Sequence, residues 1–177
     1  MKKFLKPGRI VIILTGKYAG KKAILLKVFY EGSKDRRFGH ALVAGISRYP
    51  RKVTRGMSET RASKRIRVKP FVKYVNFNHF MPTRYLLNQE LDVKGMIRSF
   101  ESHSTLRQAP ATETPAQETA DKKEAPAQKD PLSNLDFKSN LRKEIKKALE
   151  DKYSNLNLSD SSPENLLVKF FFKPLRF

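Results

Sequence analysis

Two apolar runs near the start of the chain, "RIVIIL" (9–14) and "KKAILLKVFY" (21–30), are separated by the six residues "TGKYAG". Both runs are short and rich in branched aliphatic side chains, and the connection holds glycine at 16 and at 20. Segments this short make poor helices, whereas two strands joined by a glycine-containing turn suit both the side chains and the reversal. The spacing therefore predicts a strand over 9–14, a tight turn over 15–20 and a strand over 21–30. "HALVAGI" (40–46) supplies a third strand after the polar loop "EGSKDRRFG". "VKPFVKYVNFNHF" (68–80) supplies a fourth, and "MPTRYLL" follows it. Closely spaced short strands with glycine turns predict a mainly β fold, a small barrel, although the in–out alternation of the strands is imperfect.

Glycines followed by lysine after a strand also outline a phosphate-holding loop, so the nucleotide reading has to be tested. A P-loop needs four residues between its glycines and then Gly-Lys-Ser/Thr, whose hydroxyl holds magnesium. Here Gly16 and Gly20 enclose three residues, and Lys22 stands where the hydroxyl belongs. An apolar strand follows instead of a helix whose N-terminus would receive the phosphate. As a nucleotide site the loop fails.

Other chemistries fare no better. Glu31, Asp35, Glu59, Glu90 and Asp92 are the acidic residues of the first 98, and none forms an evident pair for proton transfer. His40, His79 and His103 lack metal-ligand spacing. The absence of cysteine removes disulfides, thiolate zinc sites and thiol nucleophiles. "MKKFLKPGR" places Lys6 and Pro7 where a signal peptide would carry its apolar core. The longest apolar runs fall far short of a membrane span. The expectation is a soluble protein without an enzymatic role, cofactor, small-molecule substrate or membrane partner.

Charge points to a different partner. Lys and Arg number 37 against 17 Asp and Glu, a formal net charge of +20. Residues 1–98 hold 24 of the basic and 5 of the acidic side chains, so the excess is concentrated there. Such self-repulsion favours association with a polyanion, and nucleic acid gains further from the counterions that each neutralised phosphate releases. The run "RYPRKVTRGMSETRASKRIRVK" (48–69) contains nine Lys or Arg and a single acidic residue, Glu59. Its cations are Arg48, Arg51, Lys52, Arg55, Arg61, Lys64, Arg65, Arg67 and Lys69. Lys17, Lys21, Lys22, Arg36 and Arg37 add to them from the barrel loops, and Arg84 from the last strand. Aromatic residues, among them Tyr18, Phe38, Tyr49, Tyr74, Phe77 and Tyr85, are interleaved. Lysine holds phosphate as a point charge, arginine can fork onto it, and rings can stack on unpaired bases. Tyr18, Tyr49, His40 and His79 therefore join the candidate RNA contacts, although His40, at the mouth of a strand, suits a hydrogen-bonding structural role first and an RNA contact second. No recognition helix is evident, which favours folded RNA over a DNA groove.

Three segments follow from composition. Residues 1–98 form the basic barrel with its arm over 48–69. Residues 99–131 are rich in Ala, Pro, Thr, Gln and Glu, hold little apolar bulk, and read as a flexible insertion. Within 132–177 the period changes: Phe137, Leu141, Ile145 and Leu149 recur every four residues, a helical stripe that Asn134 or Asp136 can cap. Glu150 and Asp151 sit at the end of that helix, where its dipole disfavours them, so a partner is expected to hold it. "SSPENLLVKFFFKPLRF" opens with a capped helix start and ends in a Phe-rich tail. That tail either folds back on the chain's own core or anchors in a crevice of a larger assembly. The small core favours the second.

"KPGRIVIILTGKYAGKKAILLKV" resembles a KOW motif, the strand–glycine turn–strand of RNA-binding SH3-like barrels. Together with "GHALVAGISRYPRKVTR", "VKYVNFNHFMPTRYLL" and the terminal "FFFKPLRF", it is similar to the eukaryotic family of large-subunit ribosomal protein number twenty-seven. The resemblance spans roughly 1–97 and 136–177; residues 99–131 look inserted. It implies an SH3-like barrel with basic extensions and a C-terminal helical segment. It also implies large-subunit ribosomal RNA and neighbouring ribosomal proteins as partners, a single copy and not a homo-oligomer, a cytosolic ribosome after nucleolar passage, and no catalytic role. KOW-type transcription elongation or RNA-processing factors are the alternative, because they carry the same motif.

Overall fold

The computed structural model describes residues 4–33, 36–87, 95–98, 100–101, 132, 134–156 and 162–176. The opening hairpin forms as the sequence dictates: β1 (Arg9–Ile13) pairs antiparallel with β2 (Lys22–Phe29), with Ile10 opposite Ile24. β3 (His40–Arg48) lies along β2, and β4 (Lys69–Asn76) along β3, with Ala41 opposite Val75. The apolar run 68–80 does not stay extended to its end. The Asn76 side chain accepts from the Asn78 amide at 3.0 Å and turns Phe77–His79 into one turn of 3-10 helix. β5 (Phe80–Leu86) then returns to pair with β1, which gives the antiparallel order β4-β3-β2-β1-β5. The result is the small barrel-like sheet expected.

Both faces of this sheet are covered, which explains the imperfect alternation. On one face Val11, Ile13, Ala23, Leu25, Ala41, Val43, Phe71, Val75 and Phe80 form a cluster drawn from all five strands, as in a sheet curled on itself. On the other, Ile10, Ile24, Leu26, Leu42, Ala44, Ile46 and Val72 meet two helices. Strands buried on both sides need apolar residues at successive positions, so β2 and β3 read as runs and not as period-two stripes.

Among the described residues, 95–98 and 100–101 are also helical, and three longer helices complete the fold. α1 (Glu59–Ile66) lies within the basic run and buries none of its residues. α2 (Leu135–Ser154) starts at Asn134, whose side chain accepts from the Asp136 amide at 3.2 Å, and buries Leu141, Ile145 and Leu149. Its Glu150, unfavourable toward the helix dipole, accepts from the Val68 amide at 2.9 Å and so ties α2 to the approach of β4. The hold that the sequence assigned to a partner is thus supplied from within the chain.

α3 (Pro163–Phe172) starts at Ser162, whose hydroxyl accepts from the Asn165 amide. Val168, Phe171 and Phe172 are buried against the sheet and α2, and Phe172 meets Tyr153 edge-on with centroids 5.2 Å apart. The expectation that the Phe-rich tail points outward is corrected here: the exposed face of the sheet needs a cover, and the tail provides it. Two residues of the 99–131 stretch are also placed. Phe100 is buried beside Phe137, and Glu101 pairs with Lys27 at 3.0 Å. The remainder of the flexible insertion, 99 and 102–131, lies outside the described residues.

Candidate nucleic-acid interface

The turn between β1 and β2 closes through Gly16 and Gly20, both at positive φ (82° and 71°), where a side chain would be strained. Gly20 donates to the Ile13 carbonyl at 2.7 Å and Ala19 to that of Gly16 at 3.0 Å. The bonded turn leaves Lys17 in water and Lys21 half-buried, its ammonium 5.6 Å from the Tyr49 ring centroid.

Lys22 departs from the expected role. Strand geometry puts it on the same face as Ile24 and Leu26, the face covered by α3, and it is 1% exposed. Its ammonium donates to the carbonyls of Phe170 and Lys173, the latter at 2.8 Å, and lies 3.6 Å from the Phe170 ring centroid. Desolvation, with the charge of Lys173 second, lowers its pKa from 10.5 to about 8. His40 fills the hydrogen-bonding structural role that its place at the mouth of a strand suggested. It shares a face with Leu42 and Ala44, is 2% exposed, bonds the Phe38 carbonyl through Nδ1 at 2.9 Å and stacks on Phe29. Lys22 is thus spent inside the protein, while His40 keeps an edge on the second hollow described below.

The other candidates reach the surface. Lys17, Arg37, Arg48, Arg51, Lys52, Arg55, Arg61, Lys64, Arg67, Lys69, His79 and Arg84 are exposed. Tyr18, Lys21, Arg36, Tyr49 and Arg65 are half-buried. Tyr18 lies parallel to Phe71 with centroids 3.9 Å apart, and the Arg36 guanidinium sits 4.6 Å from the Tyr74 ring centroid. The Tyr49 hydroxyl accepts from the Lys22 amide at 3.0 Å, and burial raises its pKa above 10 against the opposing effect of that bond.

The basic run, read from the sequence as an arm, holds α1 and folds on itself. The Arg51 amide donates to the Arg65 carbonyl at 2.9 Å, folding loop and α1 back on each other. Between them lies a hollow of about 430 Å³ lined by Arg48, Arg51, Arg61, Lys64, Arg65 and Arg67, with Tyr49 the single ring among the described residues. Arg65 Nε is shielded from water without a protein partner, although its Nη1 reaches the Met57 sulfur at 3.8 Å. The ion pairs described, Lys27–Glu101 and Lys146–Glu150, involve none of the residues around the hollow. A second hollow, of about 510 Å³, opens between the glycine turn, residues 36–40 and β4. Tyr18, Arg36 and His79 line it, together with Phe38, Lys73 and Asn76. Lys73 and Asn76 had not been singled out in the sequence; their signal was their place in the strand beside Tyr74.

Among the described residues no group of His, Asp and Glu could hold a metal ion, and no helix is long and apolar enough to cross a membrane. The surface instead presents fixed cations and rings, a combination suited to phosphates and bases.

Comparison with known proteins agrees with this chemistry. The large ribosomal subunit protein eL27 of Tetrahymena thermophila is 40% identical over 177 residues, covering 100% of both chains. The eL27A protein of Schizosaccharomyces pombe is 41% identical over 178 residues, again covering 100% of both. The eL27 protein of Solanum tuberosum is 59% identical over 91 residues, 51% of this chain and 66% of that one, so the potato protein is the shorter of the two. A profile of the Ribosomal L27e protein family matches residues 10–127. The chain belongs to the Ribosomal L27e protein family.

Proposed function

We propose that this protein is a structural constituent of the cytosolic large ribosomal subunit and binds its ribosomal RNA through the barrel loops and the folded basic run. The carrying observation is the hollow of Arg48, Arg51, Arg61, Lys64, Arg65 and Arg67, six cations converging with no ion-paired carboxylate among the described residues. Like charges held this close repel, and a phosphate backbone relieves that repulsion while releasing counterions. Lys17, Lys21, Arg36 and Arg37 extend the contact around the barrel, with Lys52, Arg55, Lys69 and Arg84 along the basic run and β5. Neighbouring ribosomal proteins complete the setting, one copy of this chain serves each subunit, and assembly takes it through the nucleolus. No turnover is required of it; its contribution is neutralisation and shape.

Sedimentation of a cell lysate through a sucrose gradient tests the reading. The chain should co-migrate with large subunits and stay with them at moderate salt. A pool found only free, or only with RNA polymerase as for a KOW-type elongation factor, would overturn it.

A further inference from the structure

We infer that the hollow between the glycine turn and β4 holds a single unpaired RNA nucleotide, its base stacked among the protein's rings. The inference rests on the RNA-binding reading above and adds the kind of RNA element this face requires. The two hollows differ in a way that divides the labour. The one beside α1 is walled by six cations and one ring, and matches backbone. The one beside the glycine turn is walled by Tyr18, Phe38, Phe71 and Tyr74, over a floor that includes Ile13 and Val75. Its cations are Arg36 and Lys73, and among the described residues no carboxylate lines it.

The rings are already arranged for stacking. Tyr18 and Phe71 lie 3.9 Å apart and 4° from parallel, so the half-buried Tyr18 is fixed in orientation before any ligand arrives. Phe38, 46% exposed, is set edge-on to His40 with centroids 5.9 Å apart. An exposed ring beside an aromatic-lined hollow is a surface awaiting another flat group. Thr15, Asn76 and His79, also around the hollow, offer hydrogen-bonding groups of the kind that base edges engage. A base locked in a duplex already has neighbours on both faces and cannot enter; a bulged or flipped one can. An aromatic side chain from a neighbouring protein would fit the rings too. The cations Arg36 and Lys73, in a chain of net charge +20, favour the occupant that brings its own phosphate.

The test uses the full chain and three RNA hairpins of one sequence: one with a single-nucleotide bulge, one with an abasic residue at the bulge, and one fully paired. The wild-type protein should bind the bulged hairpin about tenfold more tightly than the abasic one. Phe38→Ala should bring that ratio close to one, and Phe38→Trp should keep it, with the salt dependence of all three proteins unchanged. Equal wild-type affinity for bulged and abasic hairpins, with steep salt dependence intact, would overturn the pocket and leave the RNA-binding reading standing. Salt-insensitive or absent binding of every hairpin would overturn both. In assembled large subunits, a photoreactive benzophenone side chain at position 38 should cross-link to ribosomal RNA. Adducts to protein alone would give the hollow to a peptide and end the proposal.

Discussion

The Lys22 ammonium lies 3.6 Å from the centroid of the Phe170 ring and hydrogen-bonds the carbonyl of the same residue, 148 positions along the chain. A helix leaves its last carbonyls without intrahelical donors, and its C-terminus favours a cation. In α3 that cation comes from the first hairpin. Replacing Lys22 with Met keeps most of the stem's bulk and removes both hydrogen bonds and the cation over the ring. Lys22→Met should lower stability by roughly 1–3 kcal/mol, read as a lower midpoint in thermal or urea unfolding. An unchanged midpoint would mean that apolar packing alone holds α3.

The same lysine gives the stability a pH dependence of definite sign. Its pKa is about 8 when folded against 10.5 ordinarily, so between those values the unfolded chain binds the extra proton. Stability attributable to Lys22 therefore rises as pH passes from 8 to 10.5, by up to about 3 kcal/mol. A neutral amine still has two N–H groups for the two carbonyls, so the clamp survives deprotonation. The stability difference between wild type and Lys22→Met should widen from pH 7.5 to pH 10. A gap that narrows would contradict the burial of this charge.

Glu150 offers a cleaner separation of acceptor from charge. Its carboxylate accepts from the amide of Val68, a residue that is 1% exposed. Glu150→Ala strands that amide and should cost about 1–3 kcal/mol. Glu150→Gln keeps an acceptor and should cost less than half as much. Equal destabilisation of the two variants in urea titrations would show that the bond adds nothing.

In the cationic hollow, Arg61 and Lys64 are exposed, and α1 buries no side chain, so substitution there spares the fold. Arg61→Ala with Lys64→Ala should weaken RNA binding and flatten the plot of log affinity against log salt. The expected change in slope is roughly 0.7–0.9 for each phosphate that the variant no longer neutralises. A double variant with the wild-type slope would remove this hollow from the interface.

Phe171, with no exposed surface, reports on the tail. Phe171→Ala should cost about 3–5 kcal/mol in chemical unfolding of the whole chain. A change confined to local fraying of α3, with the sheet's transition unmoved, would mean that the cover and the sheet fold independently.

Local pattern made much of this structure readable. The strands announced themselves through short branched runs, and α2 through Leu141, Ile145 and Leu149 at helical spacing, all three of which are buried. α1 did not, because it has no apolar stripe to display. Its signals were the extended Ser58 before it, Glu59 in the first turn and Lys64 and Arg65 in the last, and these were hidden inside a longer run of charge. The surface cations of the candidate interface were legible from composition, but their convergence depends on the Arg51–Arg65 bond, which no window of sequence displays. Lys22 shows the opposite failure. Residue type suggested phosphate, while period-two geometry already placed it beside Ile24 on a face that had to be covered.

The pairing of Lys22 with Phe170 and Lys173 also sets an order of events during synthesis. A chain emerging N-terminus first presents β2 long before residues 168–173 exist to cap it. A chain still lacking α2 and α3 leaves Ile24 and Leu26 without those helices and Lys22 without its two carbonyls. The covering of that face therefore waits on residues far along the chain.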